Sequence, residues 1–135
     1  MKKRNSLMSI SKEAKNTLLL SSMLLAICVL LGAFGAHGLA KILEPKQLAN
    51  WKTGVNYMTY HSLGLMMIGI LQNQCSDKLS LLAPKWAIIS GIVLFSGSLY
   101  AYALTNIKIF AMITPIGGLL FTLGWVLLAV SVFKS

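Results

Sequence analysis

Thr17-Leu-Leu-Leu-Ser-Ser-Met-Leu-Leu-Ala-Ile-Cys-Val-Leu-Leu-Gly-Ala-Phe-Gly-Ala36 is a run of 20 residues without one charged side chain. At 1.5 Å rise per residue it reaches ~30 Å, the thickness of a bilayer's hydrocarbon core. A helix on the surface of a soluble protein keeps a polar face, and this run has none. Lipid is therefore its expected surrounding.

Three further windows read the same way. Val55 to Leu71 carries no Lys, Arg, Asp or Glu, and Trp86 to Leu104 and Ile109 to Phe133 are likewise uncharged. The second is the shortest and most polar, with Asn56, Tyr57, Thr59, Tyr60, His61 and Ser62 near its start. Alone it is a weak span, so it is expected to cross among the other three. The fold class read from these windows is all-α integral membrane, a four-helix transmembrane bundle with spans about 17–36, 55–71, 86–104 and 109–133. Residues 1–16 form a basic cytoplasmic tail, and 17–135 a single transmembrane domain.

Composition agrees. Of 135 residues, 56% are hydrophobic and 11% charged, against roughly 25% charged in a soluble domain. The mean hydropathy is +0.75. The net charge of +9 raises nucleic acid as a partner, but no basic stripe interleaved with aromatics is present. The cations instead flank the apolar runs, where they orient membrane helices. With the N-terminus inside, Lys2, Lys3, Arg4, Lys12, Lys15, Lys78, Lys85 and Lys134 are cytoplasmic and Lys41, Lys46, Lys52 and Lys108 lie outside. That excess places both termini in the cytoplasm of a multi-pass cell (inner) membrane protein. The first run is too long for the apolar core of a cleaved leader, so it is read as a retained helix. Cys28 and Cys75 fall at different depths, and no disulfide is expected between them.

The connections differ in kind. Asn106 to Lys108 is tight and makes helices three and four a hairpin. Ser76 or Asp77 is placed to cap helix three. Glu44-Pro45 reads as a helix start, and Leu48, Trp51 and Val55 then recur at helical spacing with Lys46, Asn50 and Lys52 between them. This predicts a short interfacial helix between helices one and two, running into helix two, with Trp51 at headgroup depth. Trp51, Tyr57, Tyr60, Tyr100 and Tyr102 read as an aromatic belt.

Small and polar residues mark where helices meet in lipid. Gly32, Gly35, Gly64, Gly97, Gly117 and Gly118 are the expected packing glycines. Threaded through the topology, His37, Tyr57, Tyr60, His61, Ser98 and Thr114 converge on the outer leaflet as a candidate polar pocket. Thr114-Pro115 followed by Gly117-Gly118 is expected to bend helix four or break it locally, with Thr114 or Thr105 bonding the carbonyl that proline frees.

Several stretches together resemble a known family: Gly32-Ala-Phe-Gly-Ala-His-Gly38, Trp51-Lys-Thr-Gly-Val-Asn-Tyr57, Tyr60-His61, Phe95-Ser-Gly-Ser-Leu-Tyr100, Ala103-Leu-Thr105, Ile113-Thr-Pro-Ile-Gly-Gly118 and Gly124-Trp125. They are similar to the YgdD/YwdK-type small four-helix inner-membrane proteins, a numbered domain-of-unknown-function family. The resemblance covers about residues 17–133. It implies a four-helix integral membrane protein and assigns no activity, cofactor or catalytic residue. One departure is Met58-Thr59, where the family pattern carries a glutamine, which makes that face less polar.

No catalytic constellation emerges. The acids are Glu13, Glu44 and Asp77, all outside the spans. Two histidines without a Cys, Asp or Glu beside them fall short of a zinc site, and a close-packed small bundle leaves little room for haem. No metal or cofactor is expected. The leading reading is a non-enzymatic accessory or interaction protein, its partners the lipid bilayer and a second copy or another membrane protein. The alternative is a small-molecule, lipid or ion-handling protein using the outer-leaflet pocket. A transporter's broken helix and inverted repeat would favour the alternative, and no repeat is visible.

Overall fold

The computed structural model describes residues 9–75 and 79–135. The cations Lys2, Lys3, Arg4 and Lys78 and the expected Ser76 or Asp77 cap lie outside the described residues. The described chain is all-helical. Helix α1 runs Lys12–His37, a 3₁₀ turn covers Leu39–Lys41, α2 runs Pro45–Gln74, α3 occupies Leu82–Thr105 and α4 Lys108–Phe133.

Local chemistry sets these boundaries. Ser11 caps α1, its side chain accepting from the Ala14 amide at 3.2 Å, and Glu13 favours the positive end of the helix dipole. The first helix therefore starts five residues before the apolar run. Pro45 at the start of α2 sits in a capping box, with the Glu44 amide donating to Gln47 Oε1 at 3.1 Å. From there the chain stays helical for 30 residues, so the expected interfacial segment is the first turns of α2. The α3–α4 turn needs a left-handed residue, which Asn106 supplies at φ 56°.

Lys12–Lys41, Leu82–Thr105 and Lys108–Phe133 are long and apolar enough to cross a membrane. Helix α2 is not among them, and its position accounts for its polarity. Trp51, Gly54, Met58, His61, Leu65, Ile68 and Gln72 are buried at alternating steps of three and four, one continuous seam. That seam touches every other helix. The Trp51 indole donates to the Leu31 carbonyl of α1, Ser96 of α3 donates to the Gly54 carbonyl, and His61 stacks on Phe121 of α4. Each consecutive pair is antiparallel, as Ser11–Asn73, Gln47–Ala103 and Ser98–Thr114 show. The main core cluster joins Cys28, Met58, Leu65, Ile68, Ile88, Ile92 and Phe121 from all four helices. The outward faces are apolar, with Val29, Leu30, Met112 and Leu119 each at least 70% exposed.

Three sequence readings are corrected. Trp51 does not face outward as a belt residue would: it is 4% exposed, its indole nitrogen donates to the Leu31 carbonyl at 3.0 Å, and its ring lies 4.7 Å from that of Tyr100. Leu48 and Val55 pack on the same small core, so the apolar face of this segment covers protein rather than lipid. Tyr100 leaves the aromatic belt with it. Helix α4 continues through Pro115 as one helix. The Thr114 and Thr105 hydroxyls bond the Phe110 and Ala101 carbonyls, so neither takes the Ala111 oxygen that proline leaves without its helical donor.

Candidate functional site where α2, α3 and α4 meet

The middle of α3 is a π-turn, Ile92–Ser96. The extra residue in the turn aims two side chains at two helices at once. Ser96 reaches the Gly54 carbonyl of α2 at 2.7 Å, and Phe95 turns toward α4. Gly117 lets this happen, because a Cβ there would fall onto the Phe95 backbone amide nitrogen. Just above, the hydroxyls of Ser98 and Thr114 meet at 2.7 Å, and each also lies within bonding distance of a carbonyl of its own helix. In lipid such pairs hold helices together because water offers no competing bond.

Phe95 links this hydroxyl pair to an aromatic stack. Its ring lies 4.6 Å from Tyr57 and 5.4 Å from Phe121, and the His61 imidazole lies 3.4 Å from Phe121 with planes 11° apart. Trp125 closes the lower side, 6.1 Å from His61 and against Gly64. His61 is 7% exposed and sits near the midpoint of α2. Its Nδ1 is 2.7 Å from the Tyr57 carbonyl oxygen. A carbonyl only accepts, so Nδ1 carries a proton in this contact.

Of the six residues read as a pocket, the structure brings four into one assembly: Tyr57, His61, Ser98 and Thr114, joined through Phe95. Tyr60 flanks it with its ring 6.0 Å from Tyr57, 58% exposed. His37 stands apart at the exposed end of α1. Gly35 of α1 lies level with Trp51 of α2, which puts His37 about 18 Å along the bundle from His61 at 1.5 Å per residue. The two histidines do not meet. Among the described residues no group of three or more His, Cys, Asp or Glu could hold a metal.

The packing glycines divide similarly. A Cβ at Gly35, Gly64 or Gly117 would collide with Trp51, Trp125 or Phe95, whereas Gly32 and Gly118 leave ordinary contact distances and Gly97 faces open space. Gly97 lines a shallow groove of about 190 Å³ on the outside of α3 and α4, with Ser98 and Ala101. Four positions outside the expected packing set also take facing side chains: Gly54 under Tyr100, Gly91 under Phe121 and Gly124 under Ile88 as closely, and Gly69 under Leu18 at 3.0 Å. Also missed was a polar contact at the other end of the bundle, where Thr17 Oγ1 and Gln72 Oε1 lie 2.7 Å apart, both buried. Thr17 and Gln72 stand at the rims of their apolar runs, so composition alone gave no reason to pair them.

Residues 31–118 match a family described as a protein of unknown function, DUF423. A UPF0382 membrane protein of Staphylococcus haemolyticus is 47% identical over 113 residues, covering 81% of this chain and 91% of that protein. The UPF0382 membrane protein YwdK of Bacillus subtilis is 44% identical over 108 residues, covering 80% and 88%. A UPF0382 membrane protein of Haemophilus influenzae is also 44% identical over 108 residues, covering 80% and 86%. No solved structure matches.

Proposed function

The chain belongs to the DUF423 family of membrane proteins, and from that premise we propose that it crosses the bacterial cell (inner) membrane four times with both termini in the cytoplasm. It acts there without enzymatic chemistry, through helix packing, as an accessory subunit or a homo-oligomer. Three of its helices have the length and apolarity to cross. In an antiparallel series α2 has to connect opposite ends of α1 and α3, so it crosses with them. Its polar atoms are tolerated because they bond inside the bundle. For orientation, Lys12, Lys15, Lys85 and Lys134 balance Lys41, Lys46, Lys52 and Lys108, and the inward excess comes from Lys2, Lys3, Arg4 and Lys78.

The observation that carries the interaction reading is how the candidate pocket uses its polar atoms. The Ser98 and Thr114 hydroxyls and His61 Nδ1 all have partners within the bundle, and aromatic rings fill the space between them. That is the interior of a packed scaffold rather than of a substrate channel. The test is photocrosslinking in cells from the exposed positions Leu30, Met112 and Leu119. A discrete adduct, with a second copy or with one other membrane protein, supports the reading. Adducts with lipid alone from all three positions overturn it.

A further inference from the structure

At the end of the bundle where α1 begins, α2 ends and α3 begins, the helices leave a cavity of about 380 Å³. It is lined by Glu13, Gln72 and Ser80 and by Leu79, Leu81 and Leu82. Gln72 is the member that asks for a ligand. It is 6% exposed, and its Oε1 accepts from the Thr17 hydroxyl at 2.7 Å, which fixes the amide. Its Nε2 has no partner among the described residues. Two N–H donors therefore go unanswered on a side chain that is more than nine-tenths buried and forms part of the cavity wall. Buried donors are ordinarily paired, so an acceptor supplied through the cavity is the missing element.

The polar groups are ordered by depth. Thr17 is level with Gln72 and is the first residue of the uncharged run of α1. Glu13 stands four residues earlier, about 6 Å nearer the end of the bundle at 1.5 Å per residue. A carboxylate is thus outermost, an amide donor lies one turn deeper, and leucines flank both. Glu13 is exposed and makes no ion pair among the described residues, and no Lys, Arg or His among them lines the cavity. An anion would meet the carboxylate with no cation to offset it. A soluble cation would leave the amide donors and the leucines unused. A zwitterion with its cation outermost, an acceptor next and alkyl chains behind uses all three, and that is the order of groups in an aminophospholipid. We propose that the cavity binds a phospholipid whose headgroup ends in a primary ammonium, as in phosphatidylethanolamine. The ammonium pairs with the Glu13 carboxylate, a phosphate oxygen accepts from Gln72 Nε2, and an acyl chain lies along Leu82, which is 54% exposed. The site needs the bundle in a bilayer, but neither the accessory role nor one orientation of the termini.

The experiment uses the full chain in phosphatidylcholine nanodiscs carrying a trace of phosphatidylethanolamine with a diazirine on its acyl chain. After photolysis the adducts are mapped by mass spectrometry. Adducts are expected within residues 79–82, and unlabelled phosphatidylethanolamine should displace them saturably. Phosphatidylglycerol, which has the phosphate without the ammonium, should be needed at roughly fivefold higher mole fraction, the upper value of an exposed ion pair. Glu13→Gln should abolish that preference. Gln72→Leu should weaken both lipids alike, because both carry the phosphate. Phosphoethanolamine, the headgroup without acyl chains, should not displace the label. No saturable displacement by phosphatidylethanolamine overturns the proposal. So does equal displacement by phosphatidylglycerol in the unsubstituted chain, a result that does not depend on any variant folding. Displacement by phosphoethanolamine at the same concentration also overturns it, because the ligand would then be a soluble zwitterion rather than a lipid.

Discussion

Gly117→Ala puts the most tightly covered glycine among the described residues under test. The added Cβ would fall onto the Phe95 amide nitrogen, with the Phe95 Cα at 2.6 Å and Cβ at 2.7 Å. These are backbone atoms or fixed directly to the backbone, so no side-chain rotation relieves them. Relief requires α3 and α4 to part by about 1 Å, to reach ordinary carbon contact at ~3.5 Å or more. The Ser98–Thr114 bond of 2.7 Å then stretches to about 3.7 Å, past hydrogen-bonding range. Overpacking costs about 1–3 kcal/mol and the lost bond about 0.5–1.5 kcal/mol, so a loss of about 1.5–4.5 kcal/mol is expected. The assay is reversible unfolding in mixed micelles followed by far-ultraviolet circular dichroism. Gly118→Ala and Gly97→Ala are the controls, because a Cβ meets ordinary contact at 3.7 Å in the first and nothing within 4 Å in the second. Both should be neutral, or stabilising by up to about 1 kcal/mol from helix propensity. If Gly117→Ala falls within about 0.5 kcal/mol of Gly97→Ala, the difference expected of an unconstrained site, the argument from close approach is wrong.

Three further outcomes follow from the packing. Trp51→Phe keeps a ring in the α1–α2–α3 core but removes the donor to the Leu31 carbonyl; a loss of about 1–2 kcal/mol is expected in the same unfolding assay, and an unchanged midpoint would count against the bond. A double-mutant cycle between Thr17→Val and Gln72→Leu, the buried pair 2.7 Å apart, should give a coupling of about 0.6–1.7 kcal/mol. Zero coupling would mean that the pair does not hold α1 to α2. Ser62→Ala removes a buried hydroxyl that lacks a partner, so stability should hold or rise by up to about 1 kcal/mol; a loss larger than that would reveal a bond to this hydroxyl.

The helices were legible because lipid imposes a one-dimensional rule: an uncharged run of sufficient length crosses. Helix ends were less so. The rule reads apolarity, whereas Ser11 acts through a backbone amide and carries α1 beyond its apolar run; the start of α2 was legible from Glu44-Pro45 instead. The junction was half legible. Tyr57 and His61 share a face by spacing, and antiparallel threading brought Ser98 near Thr114. The rest depends on how each helix is rotated about its own axis. That rotation buried Trp51 instead of leaving it in an aromatic belt, and it left Gly97 in the open while Gly54, Gly91 and Gly124 took side chains from facing helices. The π-turn at Ile92–Ser96 adds a register shift that no residue type in that stretch announces. His61 and Phe121 stand 60 positions apart in the chain, and their stacking becomes visible once that rotation is known.

The central claim is that α2, the least apolar helix, crosses between its neighbours. Cysteine labelling in intact cells with a membrane-impermeant maleimide tests it most directly. In a chain with Cys28 and Cys75 replaced, single cysteines are placed at Ile10, Lys46, Asn106 and Ser135, all exposed. The account predicts that Lys46→Cys and Asn106→Cys label from outside, while Ile10→Cys and Ser135→Cys label only after permeabilisation. Finding Lys46→Cys and Asn106→Cys on opposite sides of the membrane would contradict it.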